Sequence, residues 1–165
     1  MNALSPIQRI AALWLPIGRL LDALRHPAAL LGRLYIAQAF FLSGLTKIQD
    51  WDTTLLLFTE EYHVPLLPPG LAAVMGTAGE LALPVLLVLG LGGRFAALGL
   101  SVVNVMAVLS LSEIAPAAFQ QHITWGVLLA ALALFGPGLL SVDAWLGRRV
   151  AAQGPHGAAM ARGVG

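Results

Sequence analysis

The chain has no cysteine, which excludes disulfides, thiolate metal sites, cysteine-held iron–sulfur clusters and thiol exchange carried by this chain alone. Charge is also scarce: 10% of the 165 residues are Asp, Glu, Lys or Arg, against about 25% in an ordinary soluble domain. The net charge of +1 comes without a basic cluster, so a nucleic-acid partner is not expected. The sequence holds no Walker A motif, dinucleotide-binding fingerprint or nucleophile elbow, so none of those soluble enzyme sites is indicated. Of four histidines only His122 lies within an apolar run, which leaves a bis-histidine haem without its second ligand. Glu60 and His63 have the E-x-x-H spacing of a carboxylate-bridged di-iron site, but that site needs a second copy and further carboxylates. No metal is expected, and any redox chemistry requires a borrowed cofactor.

Apolar length is abundant. Hydrophobic residues make up 58% of the chain, and four runs, roughly 30–49, 70–91, 95–112 and 119–140, approach the ~20 residues needed to cross a bilayer core. Pro27, Pro65, Pro68, Pro69, Gly92, Gly93, Pro116 and the run Gly136-Pro137-Gly138 fall at or near the ends of these runs, as helix breakers should. Pro84 alone lies within a run and is expected to kink it. The predicted architecture is an all-α integral membrane protein, an antiparallel four-helix transmembrane bundle over 30–146. An amphipathic segment over 1–29 precedes it, and a disordered tail over 147–165 follows.

Arg9, Arg19, Arg25 and Arg33 precede or open the first span, Arg94 lies between spans two and three, and Arg148, Arg149 and Arg162 follow the fourth. Lys47 is the lone base on the opposite side. The positive-inside rule therefore places both termini in the cytoplasm and the acidic loops containing Asp50, Asp52, Glu60, Glu61 and Glu113 outside. The N-terminal segment is not read as a signal peptide, because Arg19, Asp22 and Arg25 interrupt its apolar core. Ser5, Pro6 and Gln8 form a helix-start signature, and Ile7, Ile10, Trp14, Ile17, Leu21 and Leu24 share one helical stripe. The expectation is a helix lying on the cytoplasmic leaflet, broken at Pro16.

Few polar residues remain within the spans. Glu80 lies about ten residues, roughly 15 Å, from either end of span two, too deep to snorkel. A charge at such depth costs a few kcal/mol and usually faces the bundle interior. Gln38 and Asn104 lie at comparable depth and can hydrogen-bond a carboxyl group; Lys47 and His122 lie further out, with Trp125 one turn from His122. These residues suggest a polar pocket open to the outer face, for ligand binding or proton handling. Gly44 and Gly76, one turn from Lys47 and Glu80, are expected to admit close helix contacts. Arg33 can snorkel to the headgroups, and Asp143 suits the positive first turn of a helix capped by Ser141.

The order Gly32-Arg33-Leu34, Gly44-Leu45-Thr46-Lys47, Gly79-Glu80-Leu81, Leu89-Gly90-Leu91 with Arg94, and Gly136-Pro137-Gly138-Leu139-Leu140-Ser141-Val142-Asp143 resembles the DoxX family of small four-helix bacterial membrane proteins. The resemblance covers roughly 30–146 and implies residence in the bacterial inner membrane, with Arg33, Lys47 and Glu80 as the matching polar positions. It also implies an association with quinone-linked redox complexes, since the family takes its name from subunits of a thiosulfate:quinone oxidoreductase. Two functions follow as expectations. One is an accessory or quinone-interacting subunit alongside redox partner subunits; the other is a non-enzymatic solute or lipid carrier, or an assembly scaffold, in which Glu80 and Lys47 are structural. A homodimer would supply the second half that a transporter commonly needs.

Overall fold

The computed structural model describes residues 5–153, with side chains throughout except at 6–11. Six helices follow in order: α1 Pro6–Gln49, α2 Trp51–Glu60, α3 Pro69–Leu89, α4 Gly93–Ser110, α5 Pro116–Phe135 and α6 Val142–Gln153. Stretches of α1, α3, α4 and α5 are long and apolar enough to span a membrane. They pack as a ring in which α1 meets α3, α3 meets α4, α4 meets α5 and α5 returns to α1, while α2 lies against α1 and α3. This is the all-α four-span bundle that the sequence predicts.

The spans are apolar both inside and out. Ala96, Ala97, Leu100, Leu129, Leu87, Ile36 and Phe40 fill the interior, and Leu98, Val102, Val105, Val127 and Leu134 are exposed. Bulky apolar side chains thus also cover the surface that meets lipid, while small residues bring helices together at particular contacts. Gly99 and Gly79 act this way between α3 and α4: a Cβ on Gly99 would lie 2.9 Å from Leu83, and one on Gly79 3.2 Å from Val103.

Three boundaries differ from the sequence expectation. α1 starts at Pro6, as predicted, but runs unbroken through Pro16 and Pro27 to Gln49, so the amphipathic segment continues the first span instead of forming a separate helix. Each proline removes one helical N–H, and the Ala, Leu and Arg residues around them favour helix strongly enough to carry the turn through. At ~1.5 Å per residue the 44-residue α1 is about twice as long as a bilayer core is thick. Trp14, Ile17, Leu21 and Leu24 of its projecting half are exposed; the side chains of Ile7 and Ile10 lie outside the described residues. The loop after the first span contains a helix, α2, whose N-terminus Asp50 caps by accepting from Thr53 N at 3.0 Å and Thr53 Oγ1 at 2.7 Å. Those bonds from Thr53 hold the Asp50 carboxyl below its ordinary pKa. Finally, α6 makes 142–153 helical, so the first part of the tail expected to be disordered is ordered; 154–165 lie outside the described residues.

Arg33 does not snorkel. It is fully buried and donates to the carbonyls of Leu87 at 3.5 Å, Val88 at 3.2 Å and Leu140, tying α1 to the end of α3 and to the 136–141 turn. Asp143 reaches further than its own helix: its two carboxylate oxygens accept from Gly92 N at 2.8 Å and Gly93 N at 2.9 Å, capping α4 from a distance of 50 residues. Ser141 Oγ accepts from Ala144 N at 3.2 Å, the predicted cap of α6. Gly90 makes the junction possible. Its φ is +65°, and a Cβ there would overlap Ser141 and lie 2.5 Å from Arg33 Nη1. Gly90→Ala is expected to lower unfolding stability by roughly 2–4 kcal/mol through left-handed strain and overpacking. Gly76→Ala, where the nearest atom would be an ordinary 3.5 Å away, should be nearly neutral; denaturant titration in detergent compares the two.

Candidate ligand-binding site

Glu80 belongs to the buried face of α3 and Lys47 to the last turn of α1. Gly44 lets these helices meet where the pair forms: a Cβ on Gly44 would lie 2.9 Å from Leu81 and 3.1 Å from Glu80 Cβ. Across that contact Lys47 Nζ donates to Glu80 Oε2 at 2.5 Å, and also to Ser43 Oγ at 3.0 Å one turn back on α1. The two side chains are 19% and 10% exposed, too little for water to screen the pair as it does at a surface. Glu80 Oε1 has no hydrogen-bond partner among the described residues.

A second polar pair joins α4 to α5. Asn104 Nδ2 donates to the His122 carbonyl at 3.0 Å, which orients the amide so that Oδ1 faces His122 Nδ1 at 2.8 Å. Oδ1 can only accept, so Nδ1 carries the proton and a neutral His122 is left with Nε2 as an acceptor. The His122 ring meets Trp125 edge-on at 5.1 Å, and Trp125 packs against Phe40 of α1 at 5.4 Å. Trp125 Nε1 is buried without a hydrogen-bond partner. An unmatched indole N–H is costly in a protein interior, by about 1–3 kcal/mol.

Lys47 and Glu80 of the first pair and His122 of the second face one cavity of about 420 Å³, a volume typical of small-molecule sites. Its walls are mainly apolar and aromatic, with Phe40, Met75, Val103, Met106 and Trp125, and its polar groups are few: Ser43, Lys47, Tyr62, Glu80, Ser110 and His122. Phe58 of α2 and Tyr62, Val64 and Leu67 of the following loop close the end near Lys47. That loop is anchored to α4 by His63 N donating to Ser110 O at 2.8 Å. Tyr62 has its pKa raised, first by burial, then by the negative charges of Glu61 and Glu80, so it stays a neutral phenol through the physiological range.

Glu80, Lys47 and His122 thus share one cavity, as the sequence suggests. Asn104 does not line it but stands behind His122 and fixes that ring. Gly76 lines the cavity, and a Cβ there would meet Phe58 of α2 at an ordinary 3.5 Å, so the close helix contact expected at this glycine is not made. Gln38 is not a partner of Glu80: it is exposed, with its side chain in no hydrogen bond. Two residues turn a helix by about 200°, so Gln38 points away from the face carrying Ile36 and Phe40. Sequence reasoning missed Ser43, Phe40 and Tyr62. Ser43 was legible as the residue one turn before Lys47; Tyr62 reaches the cavity only because the loop folds back over α3.

The sequence model of the DoxX family matches residues 28–113, just over half of the chain, and the protein belongs to the DoxX family. The matched segment holds Arg33, Lys47, Glu80 and Asn104; His122, Trp125 and the closing motif over 136–143 lie beyond it. No curated protein and no solved structure matches the chain.

Replacing Asn104 by Leu removes both bonds to His122 and leaves Nδ1–H buried and unpaired. The expected cost is about 1–3 kcal/mol, read as a lower thermal midpoint in detergent, with Ser101→Ala on the same helix as a near-neutral control.

Proposed function

We propose that the cavity binds the ring of a quinone-type molecule, and that the protein serves as a quinone-interacting accessory subunit of a membrane redox system in the bacterial inner membrane, with both termini cytoplasmic. The unmatched Trp125 Nε1–H carries this reading. It is a buried donor on a side chain that lines a cavity whose walls are apolar and aromatic, and a flat ring with an acceptor oxygen on its rim would match that lining.

The other polar groups complement such a ring. Lys47 offers a second donor, and Glu80 Oε1 and His122 Nε2 offer acceptors, so the lining can hydrogen-bond either a ring carbonyl or a ring hydroxyl. A bound quinone would supply two-electron, two-proton redox chemistry, with the electrons coming from a partner. The chain's own residues would orient the ring, exclude water and hold protons at Glu80 and His122. The alternative, a scaffold in which Lys47 and Glu80 only lock α1 to α3, is favoured by the tight packing at Gly44, but it gives Trp125 Nε1 no acceptor.

Native mass spectrometry with organic extraction of the purified protein tests the proposal. Wild type is expected to carry a quinone, and Trp125→Phe, which keeps the aromatic wall but removes the donor, should retain it at least fivefold less well. Quinone absent from wild type, or equally retained by Trp125→Phe and Glu80→Gln, contradicts it.

A further inference from the structure

A second cavity, about 1020 Å³, lies at the other end of the bundle, between the middle of α1, the start of α4 and the end of α5. Its rim carries Arg25, His26 and Arg94, and its wall is apolar, with Phe95, Leu128 and Phe135. The one carboxylate at the rim, Asp143, has both oxygens engaged by Gly92 N and Gly93 N, so the basic groups face no free acid there.

Hydrogen bonding at His26 leaves a donor unmatched. Arg25 Nε lies 3.4 Å from His26 Nε2, and Leu139 N lies 3.3 Å from His26 Nδ1; both are donors aimed at the same ring. A neutral imidazole accepts at one nitrogen only, so in either tautomer one N–H faces another. The Leu139 amide is held by the turn at Gly136 and Gly138, whose φ values are +81° and +79°, and a Cβ on Gly138 would lie 3.4 Å from His26 Nδ1. Arg25 is exposed and is the donor free to turn to another acceptor. Arg94 leans on the last turn of α5, with Nη2 3.4 Å from the Leu134 carbonyl, a weak bond that leaves most of its guanidinium available.

From these features we infer that the groove is a binding site for an anionic phospholipid. The phosphate accepts from Arg25, Arg94 and the free nitrogen of His26, and an acyl chain lies along Phe95, Leu128 and Phe135. Charge and position both favour this occupant: the basic rim sits where span α4 begins and span α5 ends, which is where headgroups meet a spanning bundle, and the apolar wall continues from it along the spans.

The test is native mass spectrometry of the full chain in detergent, titrated with phosphatidylglycerol or with phosphatidylcholine of the same acyl chains. Wild type is expected to bind phosphatidylglycerol at least tenfold more tightly. The variant Arg25→Gln/Arg94→Gln should lose that preference by tenfold or more, at about tenfold per 1.4 kcal/mol and roughly 1 kcal/mol per basic residue. The variant Arg148→Gln/Arg149→Gln removes the same charge from α6, outside the groove, and should keep the preference. Equal affinity for the two lipids, or equal loss in both double variants, overturns the assignment. If the first double variant unfolds, Arg25→Gln alone carries the comparison, since Arg25 is exposed and its side-chain hydrogen bond among the described residues is to its neighbour His26.

Discussion

An ammonium and a carboxylate held 2.5 Å apart between two membrane helices set the terms for the rest of this molecule. Either charge alone at that depth would cost several kcal/mol, and the pair is tolerable because each neutralises the other and Ser43 takes a further hydrogen of Lys47. That geometry requires α1 and α3 to pack closely at Gly44, where a Cβ would crowd the Leu81 side chain at 2.9 Å and Glu80 Cβ at 3.1 Å. Glu80 and Lys47 therefore do more than survive in an apolar bundle: they position α1 on α3, and the cavity opens beside that crossing.

The opposite end is held by a different logic. Arg33 is buried as deeply as any of the described residues, and it is compensated by the carbonyls of Leu87 and Val88 in the last turn of α3 and of Leu140 in the turn before α6. Asp143 does the converse for the first amides of α4. Charged side chains thus satisfy the loose backbone groups where α3, α4 and α6 meet, while the Lys47–Glu80 pair secures the other half. Between the two ends the spans are apolar both toward the interior and toward lipid.

Much of this was legible from the sequence. Four apolar runs bounded by prolines and glycines define the spans because a membrane tolerates few other arrangements of backbone polar groups. An inward Glu80 followed from depth alone, but the partners expected for it at that depth were Gln38 and Asn104, and Lys47 was joined to it only in the scaffold reading. What could not be read was rotation and reach. Gln38 looked equivalent to Asn104 until the azimuth of α1 placed it outside, and Asn104 turned to His122 instead of Glu80. Arg33 near a span end reads as snorkelling because the carbonyls that receive it come from residues 87, 88 and 140, far away in the chain. Proline was over-read: at Pro16 and Pro27 the flanking helix formers outweigh one lost hydrogen bond each.

The measurement that bears most directly on the central role of the ion pair is a double-mutant cycle on unfolding stability in bilayer-like bicelles, using Lys47→Met, Glu80→Gln and the two combined. If the pair organises the α1–α3 contact, each single variant destabilises the bundle and the double variant loses less than their sum, with a coupling above about 1 kcal/mol. Strictly additive losses, or single variants as stable as the wild type, would mean that apolar packing alone holds α1 against α3.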